Sequence, residues 1–107
     1  KPSTKQRFTA FDFDYPEEAL EARIVAEETG LALDACERLV RIAHVARRLK
    51  GHGLAEGIST RLLVHAAQLI RQGASARDAC RMALVRPITD DADIRDTLDH
   101  AIDAQFA

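Results

Sequence analysis

A single stretch of this 107-residue chain, Phe8 to Phe13, alternates as a strand does, with Phe11 and Phe13 on one face and Asp14-Tyr15-Pro16 as its boundary. No second alternating stretch follows it. A strand without a neighbour leaves its backbone donors and acceptors unpaired, so the chain cannot build a sheet of its own. The expected fold class is therefore all-α: a small bundle of about five helices, preceded by one strand segment (residues 8–13) left over from a sheet that lies elsewhere. That the sequence begins with Lys1 rather than Met fits the same expectation of a piece of a longer protein. Residues 1–15 then form the edge of a preceding unit, and residues 16–107 the helical domain.

The length suits one domain around one core. Aromatic residues make up only 5% of the chain, with no Trp, so that core must be built from Leu, Ile, Val and Ala, which favours packed helices over a β-sandwich. The formal net charge is −2. A nucleic-acid module draws most of its affinity from basic contacts to phosphates, so no nucleic-acid partner is expected. No apolar run approaches the ~20 residues that span a bilayer, and no signal peptide is expected. The chain reads as cytoplasmic, with no membrane partner. Cys36 and Cys80 each lie inside a helical pattern and read as two buried free thiols in a reducing compartment. No CxxC or HxxxH spacing occurs, so no metal site is expected.

Start and stop signals divide the rest into helices. Pro16 opens the first, with Glu17 and Glu18 favoured by the dipole, Leu20 and Ile24 one turn apart, and Gly30 as its stop. The second runs from about Asp34 to Lys50, with Cys36, Leu39, Val40, Ala43 and Ala46 as an apolar stripe. The third starts at Ser59 or Thr60, both good N-caps, and continues to Gly73. It is apolar nearly all round, which places it at the centre of the bundle. Ser75-x-x-Asp78 resembles a capping box for the fourth, which Pro87 closes. Thr89, Asp90 and Asp91 cap the fifth, whose face is Ile94, Leu98 and Ile102.

Chemistry is sparse. No phosphate-binding loop and no dinucleotide fingerprint is present. His44, His52, His65 and His100 form no readable constellation, because such groups meet in space rather than in sequence. Arg61 carries the most information. It falls in the first turn of the third helix, where free N–H groups and a guanidinium make a corner suited to an anion, phosphate above all. The plain alternative is an arginine pointing into solvent or pairing with Glu56. Arg7, in Lys5-Gln6-Arg7-Phe8, has as its plain alternative a solvated basic stretch with Lys1 and Lys5.

Lys1 to Pro16 (KPSTKQRFTAFDFDYP), Leu49 to Leu69 (LKGHGLAEGISTRLLVHAAQL) and Ala79 to His100 (ACRMALVRPITDDADIRDTLDH) together resemble the CbbQ/NirQ/NorQ group of the MoxR branch of AAA+ ATPases. The resemblance is nearest to the CbbQ branch and weakest across Glu17 to Arg48. It implies that residues 1–15 are the C-terminal edge of an α/β nucleotide-binding core and that the helices are its lid. It gives Arg61, in Ser59-Thr60-Arg61, the place of the sensor-2 arginine that reaches ATP phosphates, and Arg7 the place of an arginine finger acting across a subunit boundary. It also implies ATP and Mg as cofactors of the full-length protein, a homo-oligomeric ring of hexamer type, and a von Willebrand factor A partner of the CbbO or NorD type. The implied client is rubisco, freed of tight-binding sugar phosphates, or, on the NirQ/NorQ reading, a nitric oxide reductase in maturation. The competing reading from another class is a stand-alone helical interaction module without catalysis. No activity is expected of this segment alone.

Overall fold

A computed structural model describes residues 15–54 and 56–106. The expected strand at 8–13 and Arg7 lie outside them. The described chain forms α1 (Glu18–Thr29), α2 (Leu33–Leu49), α3 (Thr60–Arg71), α4 (Ala76–Cys80) continuing directly into a π-helical segment (Arg81–Val85), and α5 (Ala92–Gln105). No sheet forms among the described residues; the single extended contact is an isolated bridge between Lys50 and Leu54. The all-α expectation holds. No described helix is long and apolar enough to cross a membrane.

Local chemistry sets the helix ends. Ser59 Oγ accepts from Leu62 N at 3.3 Å, and Ser75 Oγ accepts from Asp78 N at 3.2 Å. Asp91 Oδ1 accepts from the N–H groups of both Asp93 and Ile94. These side chains satisfy donors that the first turn leaves open. Gly30 ends α1 at φ 81°, a left-handed conformation that glycine adopts without strain, and its N–H closes on Ala26 O at 2.8 Å. Pro16 lies two residues before the first helical position, the place that the sequence reading gives it: Glu17 is the N-cap, and α1 begins at Glu18.

α1 packs on α2 and α3, α2 also on α5, and α3 also on α4 and the π segment. α3 touches α1, α2, α4 and the π segment, as a central helix does, but it is less enclosed than expected. α2 buries Cys36, Leu39, Val40, Ile42, Ala43 and Ala46, whereas α3 fully buries only Leu63, Ala66 and Ala67. The reason lies in α3 itself. Arg61, His65, Gln68 and Gln72 recur at helical spacing and hold one face in solvent. Ile70 is accordingly half-buried, while Leu39, Ala43, Leu63, Ala66, Leu98 and Ile102 are in the core as expected. On α1 the buried face is Glu21, Ala22 and Val25, and Leu20 is exposed. Leu54 and Ile58, at 2% and 0% exposure, pin the loop from α2 to α3 against the core.

In the π segment, Arg86 N reaches Arg81 O at 3.0 Å, a five-residue step. The wider turn lets three consecutive residues, Ala83, Leu84 and Val85, all face the core.

Because Leu63 is fully enclosed, Leu63→Ala should cost about 2–5 kcal/mol. Denaturant unfolding followed by helical circular dichroism measures it, and a loss below about half a kcal/mol would contradict a core position.

Candidate functional site

The start of α3 is fixed by every residue that leads into it. Ile58 places its side chain in the core, and its carbonyl accepts from Arg47 Nε at 3.0 Å. Ser59 caps the helix. Thr60 Oγ1 donates to Glu21 Oε2 at 2.7 Å. Arg61 follows, exposed, and makes no ion pair among the described residues. The pairing with Glu56 weighed from the sequence does not form. Arg61 thus presents a guanidinium in the first turn of a twelve-residue helix, where the dipole is positive and N–H groups point outward.

Beneath this corner lies a buried ion pair that the sequence did not reveal. Glu21, at 0% exposure, accepts from Arg47 Nη1 at 2.8 Å and from Nη2 at 2.7 Å. This bidentate geometry is the strongest that a guanidinium offers a carboxylate. With Thr60 the carboxylate takes three bonds. The Tyr15 ring lies against the same guanidinium, its centroid 3.6 Å from Arg47 Cζ, within cation–π range. Gly57 lets these groups meet: a Cβ there would stand 3.1 Å from the Tyr15 hydroxyl and 3.2 Å from Arg47 Cγ. A cleft of about 410 Å³ opens beside the pair, lined by Tyr15, Glu17, His44 and Arg48 among others. His44 Nδ1 lies 3.3 Å from Glu18 Oε2 at its rim.

The sequence reading notes only that Leu20 and Ile24 fall one turn apart and gives Glu21 no role. The available signal was Glu21 sharing a helical face with Ala22 and Val25, but its partners stand 26 and 39 residues away.

His52, His65 and His100 are exposed and, among the described residues, make no ion pair. No cluster of His, Cys, Asp and Glu among the described residues is arranged to hold a metal ion. Cys36 and Cys80 are both free and buried. Burial raises the Cys36 thiol, and the Glu37 charge raises it further. Burial pushes the Cys80 thiol up to about 12, against a smaller lowering by Arg81. Such thiols are poor nucleophiles at neutral pH.

The family model described as CbbQ/NirQ/NorQ C-terminal matches residues 21–105. Similar curated proteins include protein CbbQ of Hydrogenophilus thermoluteolus, 54% identical over 107 residues, which are 100% of this chain and 40% of that protein. Protein NorQ of Paracoccus denitrificans is 52% identical over 95 residues, covering 89% of this chain and 35% of its own length. The denitrification regulatory protein NirQ of Pseudomonas aeruginosa is 52% identical over 91 residues, covering 85% and 35%. The chain thus spans about two fifths or less of the relatives it matches.

Two outcomes follow from the buried groups. Glu21→Ala strands the Arg47 guanidinium and should destabilise the fold by about 3–5 kcal/mol, read by denaturant unfolding. The thiol effect has a defined sign. Cys80 holds its proton more tightly folded than unfolded, so its contribution is intact below about 9 and is lost as pH rises from about 9 towards 12. Melting temperature against pH should therefore fall less steeply across that window in Cys80→Ala than in the parent.

Proposed function

Because this chain belongs to the CbbQ/NirQ/NorQ C-terminal family, we propose that it is the nucleotide-sensing lid of a MoxR-type AAA+ ATPase, with Arg61 as the residue that meets the nucleotide phosphates. The observation that carries this reading is the position of Arg61. A cation in a first helical turn opposes the dipole at a cost of about 0.3–1 kcal/mol. A bound anion reverses that relation, since it is attracted by the dipole, by the free N–H groups and by the guanidinium together. The residues present therefore fit a phosphate: an exposed guanidinium with no carboxylate in ion-pair range among the described residues, beside a helix N-terminus capped by Ser59. Bound ATP with Mg supplies the phosphoryl transfer that drives remodelling. On this chain, Arg61 holds phosphate oxygens and senses their charge from the lid side. Arg7, which lies outside the described residues, is proposed as the arginine finger towards a neighbouring subunit.

The full-length protein would then act in the cytoplasm as a homo-oligomeric ring of hexamer type, with a von Willebrand factor A partner of the CbbO or NorD type. The client proposed is an inhibited rubisco. The similarity to NorQ and to the denitrification regulator NirQ, within two percentage points of that to CbbQ, supports a second reading in which the client is a nitric oxide reductase.

In the full-length ATPase, Arg61→Ala should lower ATP hydrolysis or nucleotide-dependent assembly by roughly tenfold or more while leaving the melting temperature nearly unchanged, because the side chain is exposed. Arg61→Lys should restore only part of the loss, since an ammonium cannot reproduce bidentate geometry. Unchanged hydrolysis and assembly in a folded Arg61→Ala ring would overturn the assignment. Purified ring and partner, presented in turn with sugar-phosphate-inhibited rubisco and with immature nitric oxide reductase, decide the client.

A further inference from the structure

We propose that Glu21, Arg47 and Thr60 form a positioning unit that sets where Arg61 stands and so tunes nucleotide affinity without touching the nucleotide. This rests on the reading of Arg61 given above.

The geometry is specific. The peptide immediately before Arg61 is held by the Thr60 hydroxyl, which donates to Glu21 Oε2 at 2.7 Å. The carbonyl three residues before Arg61, that of Ile58, is held by Arg47 Nε at 3.0 Å. Glu21 and Arg47 are locked to each other by two bonds of 2.7 and 2.8 Å. A carboxylate at 0% exposure and a guanidinium side chain at 10% have few alternative arrangements, because any other would leave a charge unpaired away from water. An ion pair of this kind adds little net stability over an apolar packing of the same volume. Its contribution is to hold one geometry, and the backbone that it holds is the one carrying the exposed arginine. Displacements of about 1 Å at a reacting or binding group can cost on the order of a hundredfold, so a restraint one residue away is worth keeping. Apolar packing anchors Ile58 and Leu63 on either side of Arg61, and the bonds at Ile58 O and Thr60 Oγ1 add a directional restraint on the turn between them.

Thr60→Val keeps the shape and removes only the donor, leaving the Glu21–Arg47 pair intact. Thr60→Ala removes it with a helix-favouring residue, and Thr60→Ser retains it. All are made in the full-length protein. Fluorescent ADP measures affinity, and hydrogen exchange of the nucleotide-free protein measures protection at Thr60 to Leu63. The expected result is a rise of about three- to tenfold in Kd for Thr60→Val and Thr60→Ala, faster exchange in that turn, a nearly unchanged melting temperature, and values close to the parent for Thr60→Ser. The cycle with Arg61→Ala is the decisive arm, since residues that act through one another are non-additive. In the Arg61→Ala background, Thr60→Val should weaken binding no further. Additive losses would overturn the positioning role. A silent Thr60→Val beside an effective Arg61→Ala would overturn the positioning role alone, whereas a silent Arg61→Ala would overturn the phosphate reading and this proposal with it.

Discussion

The arrangement of this domain depends on one charge pair taken out of water. Glu21 on α1 and Arg47 near the end of α2 meet at 2.7 and 2.8 Å, and each would cost several kcal/mol to bury alone. The fold compensates by giving each group further partners: the Thr60 hydroxyl for the carboxylate, and the Ile58 carbonyl and the Tyr15 ring for the guanidinium. The consequence is topological. Five separate places in the chain converge on one point, and the apolar core of α1, α2 and α3 must close around it in a single register. Other polar ties are peripheral by comparison. Arg71 Nε reaches Thr29 O at 3.3 Å across the surface, and Arg81 joins Asp99 and Asp78 with much of each side chain in solvent, where such pairs contribute little.

What could be read from the sequence was local. Ser59, Ser75 and Asp91 cap helices with their own side chains, and Gly30 stops α1, so a short window contains the whole cause. The core faces of α2 and α5 were legible for the same reason, because Leu39, Ala43, Leu98 and Ile102 repeat at the helical period. What failed was any choice that depended on distant residues. On α1 the large apolar Leu20 is exposed while the adjacent carboxylate of Glu21 is buried, an inversion that no local pattern announces. Only Arg47 and Thr60, 26 and 39 residues away, make that burial tolerable. The all-round burial expected of α3 failed for a different reason: it does touch α1, α2, α4 and the π segment, but Arg61, His65, Gln68 and Gln72 keep one of its faces in solvent. The position of Arg61 was legible, and the framework beneath it was not.

Likeness to relatives carrying CbbQ, NorQ and NirQ names at 54%, 52% and 52% identity indicates that this segment follows what those proteins share rather than what divides them. The most constrained polar groups of the described structure surround the start of α3, and the large exposed apolar side chains Tyr15, Leu20, Leu33 and Met82 belong to different segments of the chain.

The two buried cysteines have a practical side. Cys36 and Cys80 are the chain's entire complement of thiols, and both are enclosed by the core with raised pKa values. A cysteine introduced on the surface would ionise orders of magnitude more readily than Cys80 at neutral pH. Within this chain the native sequence is therefore already a quiet background for maleimide or spin-label chemistry. A reporter could be set beside Arg61 or on α5, and movement of the domain followed, without first stripping the core of its sulfur.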